Sequence, residues 1–182
     1  KKVLEATGKP IITFEVNDTW SYYIMACENG GDYFDKDGNC IINCENNVEV
    51  LDFMLEMLAD GTAITTPGGG FHTEEYYGFM SQGGAASMLE CFWYLGRFTD
   101  YMPELSGKIV AAAPPVWEEG NKYPVFGGTA TSITTQCENQ DLAKRFLAEA
   151  KISKEVAAKI WQVLGFDPLR WDIWVTEATK QQ

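Results

Sequence analysis

The stretch Lys9-Pro10-Ile11-Ile12-Thr13-Phe14-Glu15-Val16-Asn17-Asp18-Thr19-Trp20 holds the local instructions for a strand that turns into a helix. Residues 9–15 are rich in β-branched and aromatic side chains, which suit a pleated and half-buried surface. Asp18 then stands where a capping side chain can accept a free backbone N–H, and Trp20, Tyr23, Ile24 and Cys27 recur at spacings of three and four. Gly30-Gly31 supplies the stop. A strand feeding directly into a helix is the unit of an α/β layer architecture.

Working outward, the same alternation continues. Tyr33-Phe34 and Cys40-Ile41-Ile42 flank the polar tip Asp35-Lys36-Asp37-Gly38-Asn39, which reads as a hairpin. Residues 47–60 read as a helix with Val48, Leu51, Leu55 and Leu58 inward and Gly61 after its end. Thr65-Thr66-Pro67-Gly68-Gly69-Gly70 is a loop, residues 73–82 a short helix and residues 85–89 a buried strand. Residues 92–98 form another short helix, and 109–113 a strand closed by Pro114-Pro115. The polar residues 118–122 precede a further apolar run at 123–126, and 129–135 alternates weakly like a strand. The last quarter is helical: 141–151 with Leu142, Phe146 and Leu147 inward, then a Ser153-capped helix carrying Val156, Ile160 and Val163 and ended by Gly165.

Composition narrows the function. Fourteen basic and 26 acidic side chains leave a formal charge of −12 over 182 residues. Nucleic-acid affinity rests on Lys and Arg displacing counterions, so nucleic acid is excluded as a partner. No run reaches the roughly 20 apolar residues that span a bilayer. Five cysteines without a Cys-x-x-Cys pair argue against a complete disulfide framework and a four-thiolate zinc site. They read as free, mostly buried thiols, with a Cys40–Cys44 pairing as the alternative. His72 is the only histidine and no Gly-x-Ser-x-Gly elbow accompanies it, which disfavours a catalytic triad. The Gly68-Gly69-Gly70 run lacks phosphate-loop spacing and reads as a flexible turn. An EF-hand begun at Asp35 fails at Cys40 and Asn46, where Gly and Glu are required. No metal or cofactor is expected.

Six Trp, eight Tyr and ten Phe are the suggestive part of the composition. Sugars present a flat C–H face and a rim of hydroxyls, a surface matched by an aromatic platform with planar polar neighbours. Asn17 and Asp18 flank Trp20; Glu90 and Arg97 flank Trp93; Asp167 and Arg170 precede Trp171. Glu90 follows an apolar run and precedes Cys91-Phe92-Trp93-Tyr94, an environment that suits either ligand binding or a general acid. A hydrolase using Glu90 with a second carboxylate such as Asp167 is the rival to a binding protein.

The order of motifs resembles the extracellular solute-binding proteins of bacterial ABC sugar importers, the maltose-binding-protein-like family. The resemblance rests on Gly8-Lys9-Pro10-Ile11, Asn17-Asp18-Thr19-Trp20, the Gly30-Gly31-x-x-Phe-Asp-x-Asp-Gly hairpin and Phe79-Met80-Ser81-Gln82-Gly83-Gly84-Ala85-Ala86-Ser87-Met88. It continues through Ala112-Ala113-Pro114-Pro115, Gly127-Gly128-Thr129, the run Asn139-Gln140-Asp141-Leu142-Ala143-Lys144-Arg145-Phe146-Leu147 and Gly165-Phe166-Asp167-Pro168-Leu169-Arg170. Cys91 stands where the family usually has Gly, and Ala85 where it has Lys.

The resemblance implies a type II periplasmic-binding-protein fold, a mixed sheet flanked by helices, in an incomplete two-lobe architecture. Residues 1–126 would form most of one lobe, 127–164 would cross toward the other, and 165–182 would be a ligand loop and tail. It also implies a missing N-terminal portion. The function it implies is non-enzymatic carbohydrate binding in an interlobe cleft, outside the cell or in the periplasm. The partners would be a neutral sugar and the permease's transmembrane subunits, with a lipid anchor on the full-length protein. The ligand-binding residues so assigned are Asn17, Asp18, Trp20, Glu90, Trp93, Arg97, Gly128, Thr129, Asp167 and Arg170.

Overall fold

A computed structural model describes residues 1–117 and 128–175, which divide into two units. The first comprises Lys1–Glu90 with residues 101–117, and the second Cys91–Asp100 with residues 128–175.

In the first unit, β1 (Ile12–Phe14) pairs in parallel with β2 (Ala63–Thr65), with Ile12 opposite Ala63 and Phe14 opposite Thr65. Backbone bonds from Ile11 N–H to Thr62 O and from Thr66 N–H to Phe14 O continue the ladder at both ends. Parallel strands cannot be joined by a tight turn, and the crossover here is made by α2 (Trp20–Glu28) and α3 (Glu45–Ala59). The core lies between strands and crossover: Phe14, Met25, Val50 and Ala63, with Ile12, Tyr22, Met54, Met57, Leu58, Leu89 and Trp117 packed against them. A helix that the sequence reading does not anticipate, α1 (Lys2–Thr7), precedes β1 and ends on Gly8 in the left-handed conformation. After β2 come a 3-10 turn at Pro67–Gly69 and α4 (Glu74–Ser81). Thr73 caps α4 by accepting the Tyr76 N–H, and Lys9 Nζ donates to the carbonyls of Gln82 and Gly83 at its other end, where a cation meets the negative pole of the helix.

Several expectations change. The inward face of α3 is Asn47, Val50, Met54 and Met57, whereas Val48, Leu51 and Leu55 are exposed. Helical spacing identifies two apolar stripes on α3, and packing against α2 and β2 selects the one that does not begin at Val48. Residues 85–89 form no strand: Ala86 and Ser87 donate to Pro10 O and Ile11 O beside β1, and two bonds do not make a ladder. The 33–42 hairpin is reduced to one antiparallel bridge between Phe34 and Cys40. Residues 109–113 and 129–135 form no strand, and Val110 is 87% exposed. Among the described residues the expected mixed sheet is therefore the β1–β2 pair and that single bridge. The expected apolar run at 123–126 and Gly127 lie outside the described residues. The five cysteines are free thiols; four are half-buried and Cys40 is exposed, so they are less buried than expected.

In the second unit a 3-10 turn at Phe92–Tyr94 leads into α5 (Leu95–Tyr101), whose last residue falls in the first unit. Two further helices, α6 (Gln140–Ile152) and α7 (Lys154–Leu164), meet at Ser153. Asn139 caps α6 by accepting the Leu142 N–H, Ser153 caps α7 by accepting the Val156 N–H, and Gly165 closes α7 at φ 69°. Leu142 and Phe146 of α6, expected inward, are exposed. The caps are set by neighbours three or four residues away and so form regardless of what covers the helix faces. Replacing Ser153 with Ala removes the α7 cap and is expected to lower stability by about 1 kcal/mol, a drop of roughly 2–4 °C in the melting temperature, read by circular dichroism.

Candidate functional site

The carboxyl ends of parallel strands are where loops diverge and ligands settle in open α/β sheets. Here β1 runs into Glu15, Val16, Asn17 and Asp18, and β2 into Thr66, Pro67, Gly68, Gly69 and Gly70. The two segments are tied together. The N–H groups of Val16 and Asn17 both donate to Gly69 O at 3.1 Å, and Glu15 Oε1 accepts the Phe71 N–H at 2.9 Å. Ser21, in the first turn of α2, accepts the Glu15 N–H through its hydroxyl at 3.2 Å. Gly68 and Gly69 have φ of 72° and 82°, a region that L side chains avoid, so the turn that reaches Val16 and Asn17 depends on glycine at both places.

What this frame presents to solvent is polar with one aromatic flank. Asn17 and Asp18 are exposed and Trp20 is half-buried at the start of α2. Asp18 Oδ1 accepts the N–H of Thr19 at 2.6 Å. Among the described residues, the Asn17 carboxamide enters no hydrogen bond, leaving two donors and an acceptor facing outward. Beneath the frame, Tyr76 is fully buried and its hydroxyl meets that of Thr13 at 3.1 Å. Burial foremost, and then the negative charges of Glu90 and Glu15, push Tyr76 up to about 12, against the opposing effect of the Thr13 hydrogen bond. Glu90, half-buried, follows the segment whose Ala86 and Ser87 bond to Pro10 O and Ile11 O beside β1.

The other expected ligand residues belong to the second unit. Trp93 is half-buried in the 3-10 turn with its ring 5.9 Å from Tyr94, and Arg97 is half-buried on α5. Gly128, Thr129 and Asp167 are exposed. Arg170 is engaged within its own unit: Nε and Nη2 donate to the two carboxylate oxygens of Asp172 at 2.9 and 3.0 Å, and Nη1 donates to Ile152 O at 3.2 Å. That fork clips the post-helix loop onto the end of α6, the geometry at which Arg and a carboxylate match best. Trp161 is buried, as its place on α7 implies, with its ring 5.4 Å from Trp174.

Two contributors escaped the sequence reading. By sequence Glu15 is only the end of a strand and the triple glycine a flexible turn; in the fold both tie the two strand ends together. The signal for both was distal: nothing in the sequence near residue 69 indicates that it meets residue 17. The Asp35 loop, by contrast, is self-contained. Asp35 accepts the N–H groups of Asp37 and Asn39 and the Asn39 side-chain amide, and these bonds hold its carboxyl below the usual range.

Residues 1–151 match the family model described as bacterial extracellular solute-binding protein. Among curated proteins, the chain is 50% identical over 183 residues to the arabinooligosaccharide-binding protein of Bacillus subtilis (strain 168). That alignment covers 100% of this chain and 42% of the relative. It is 44% identical to the arabinooligosaccharide-binding protein of Halalkalibacterium halodurans, over 96% of this chain and 40% of that protein. The chain therefore spans less than half the length of the curated relatives it matches. Among solved structures, the GacH receptor of Streptomyces glaucescens GLA.O, determined unliganded and with acarbose, superposes with a TM-score of 0.73 at 17% identity. It covers all of this chain and 46% of its own. Maltose-bound T. maritima MalE3 gives a TM-score of 0.68 at 18% identity, over 98% of this chain and 47% of its own. The solved structures share the fold, and the family match over residues 1–151 establishes that this chain belongs to the bacterial extracellular solute-binding proteins.

Proposed function

We propose that the chain is part of an extracellular receptor that binds an arabinooligosaccharide and presents it to an ABC importer. The observation that carries this reading is the 50% identity, across the whole chain, to a protein named for that ligand. The geometry agrees with it. An unpaired carboxamide, a carboxylate and an indole converge at the carboxyl ends of two parallel strands, a combination suited to sugar hydroxyls and a C–H face. Trp20 is assigned the stacking platform, with Asn17, Asp18 and Glu90 taking hydroxyls from the first unit. Within the second unit, taken by itself, Trp93, Arg97, Gly128, Thr129 and Asp167 are ligand-contact candidates, and Arg170 holds the loop that carries Asp167. The receptor performs no chemistry on the sugar. Ligand favours the closed state of the whole protein by contacts made there alone, and the permease subunits read that state. The full-length protein is held at the cell surface by a lipid anchor.

The test is isothermal titration of the full-length protein with arabinooligosaccharides, maltooligosaccharides and amino acids. Binding of the first and not the last supports the reading; a response to amino acids alone overturns it. Replacing Trp20 with Ala is expected to weaken arabinooligosaccharide binding about tenfold by removing the platform, and a thermal melt of the variant separates that loss from the stability lost with a half-buried indole.

A further inference from the structure

Gly69 is placed to do more than turn the chain. Its N–H donates to Thr66 O at 2.8 Å and its carbonyl accepts from both Val16 and Asn17, so the backbone of the loop after β2 is bonded here to the backbone of the residues after β1. The Asn17 side chain lies directly over it. A Cβ built on Gly69 would come 2.5 Å from Asn17 Nδ2, 2.9 Å from Cγ and 3.0 Å from Oδ1. The 2.5 and 2.9 Å contacts are too short to stand, so a side chain at 69 pushes the carboxamide aside, on top of the backbone strain that φ 82° imposes on any L residue. That carboxamide, exposed and without a hydrogen bond to the described chain, is otherwise held by nothing but this seat.

We propose that Gly69 is a positioning residue for ligand: by leaving room for the Asn17 carboxamide and fixing its backbone from below, it sets where that amide meets the sugar's hydroxyls. The proposal rests on the receptor reading above. It differs from that reading in assigning a role to a residue that need not touch the sugar. The side chain of Asn17 is the recognition element, and Gly69 determines its direction.

A double-mutant cycle on the full-length protein tests it, using titration with an arabinooligosaccharide and thermal melts of Asn17→Ala, Gly69→Ala and the double variant. Asn17→Ala is expected to lose about tenfold in affinity with an unchanged melting temperature. Gly69→Ala loses a similar factor, and in the Asn17→Ala background it costs less than about twofold, because the group it displaces is gone. The double variant also recovers part of the melting temperature lost by Gly69→Ala, since the collision with the carboxamide is removed. Should Gly69→Ala alone fail to fold, the comparison of the double variant with Asn17→Ala decides: equal affinity supports the proposal, a further loss of about tenfold overturns it. Wild-type affinity in Gly69→Ala, or losses that multiply across the cycle, also overturns it. A wild-type protein that binds no oligosaccharide sinks the receptor reading itself, whereas a wild type that binds and an Asn17→Ala variant that binds equally well sinks only this one.

Discussion

Asn47→Leu is expected to cost about 3 kcal/mol or more of folding stability, although leucine has the same branching as asparagine. Asn47 has 0% of its surface exposed. Its amide nitrogen faces three backbone carbonyls, Asp32 O at 2.8 Å, Ile42 O at 3.1 Å and Ile41 O at 3.4 Å, which together close the loop between α2 and α3. Leucine donates nothing, so Asp32 O and Ile42 O lose the donor that Asn47 supplies in this part-buried loop, while Ile41 O keeps the Cys44 N–H at 2.9 Å. Each such group costs about 1–3 kcal/mol, and a total of 3 kcal/mol in a chain this long corresponds to a fall of roughly 6–12 °C in melting temperature. Asn47→Asp should be worse, since it sets a carboxylate against those carbonyl oxygens. Gly31→Ala reaches the same place from the other side, because its Cβ would lie 2.0 Å from Asn47 Oδ1. Thermal melts combined with hydrogen exchange of residues 32–42 check this. Unchanged protection of those amides in Asn47→Leu would mean that the loop is held by something else.

Glu28→Gln should act in the opposite direction and only above a definite pH. Glu28 ends α2 with 2% of its surface exposed, and its Oε1 has no hydrogen-bond partner among the described residues. Burial alone pushes its carboxyl up to about 7 from an ordinary 4.5. Between those values the folded chain keeps a proton that the unfolded chain has released, so stability falls as pH rises from about 4.5 to about 7 and stays reduced beyond. At about 1.4 kcal/mol per unit, the cost of ionising Glu28 above pH 7 is at most about 3 kcal/mol. Glutamine keeps the shape and cannot ionise. The variant is therefore expected to melt higher than the wild type at pH 8, with the advantage shrinking through pH 6 and vanishing near pH 4.5. Melting curves across that range measure it, and parallel profiles for the two proteins would count against a buried, unpaired carboxylate.

Both effects show where sequence reading ends. Glu28 stands in a segment whose helix was evident, yet a glutamate at the end of a helix gives no sign that it is enclosed. Asn47 opens the reading of α3 as a polar residue before an apolar run, and that pattern suits a solvent-facing cap as well as a buried plug. The stripe on α3 was misassigned for a related reason. Val48, Leu51 and Leu55 make as good a helical face as Val50, Met54 and Met57, and only the position of α2 and β2 breaks the tie. Conversely, Thr73, Asn139, Ser153 and Gly165 ended or began helices where their chemistry required, because a cap is a bond to a backbone group three or four residues away.

The proposed ligand residues divide in the same manner. Asn17, Asp18 and Trp20 could be singled out because they follow β1 directly and their chemistry suits a sugar. Gly69 and Glu15 could not, since their importance arises when β2 lies beside β1. Residue type and short spacing suffice for the strand-to-helix start at 9–28, the family resemblance, the helix ends at Ser153 and Gly165 and a polar-aromatic cluster after the first strand. They mislead on strands at 85–89, 109–113 and 129–135 and on Asp18, which does not cap α2. The tertiary structure alone decided which helix face is inward, that Asn47 and Glu28 are buried, and that the glycine turn seats Asn17. Those outcomes depend on contacts between segments far apart in the chain, and no local preference is strong enough to specify them.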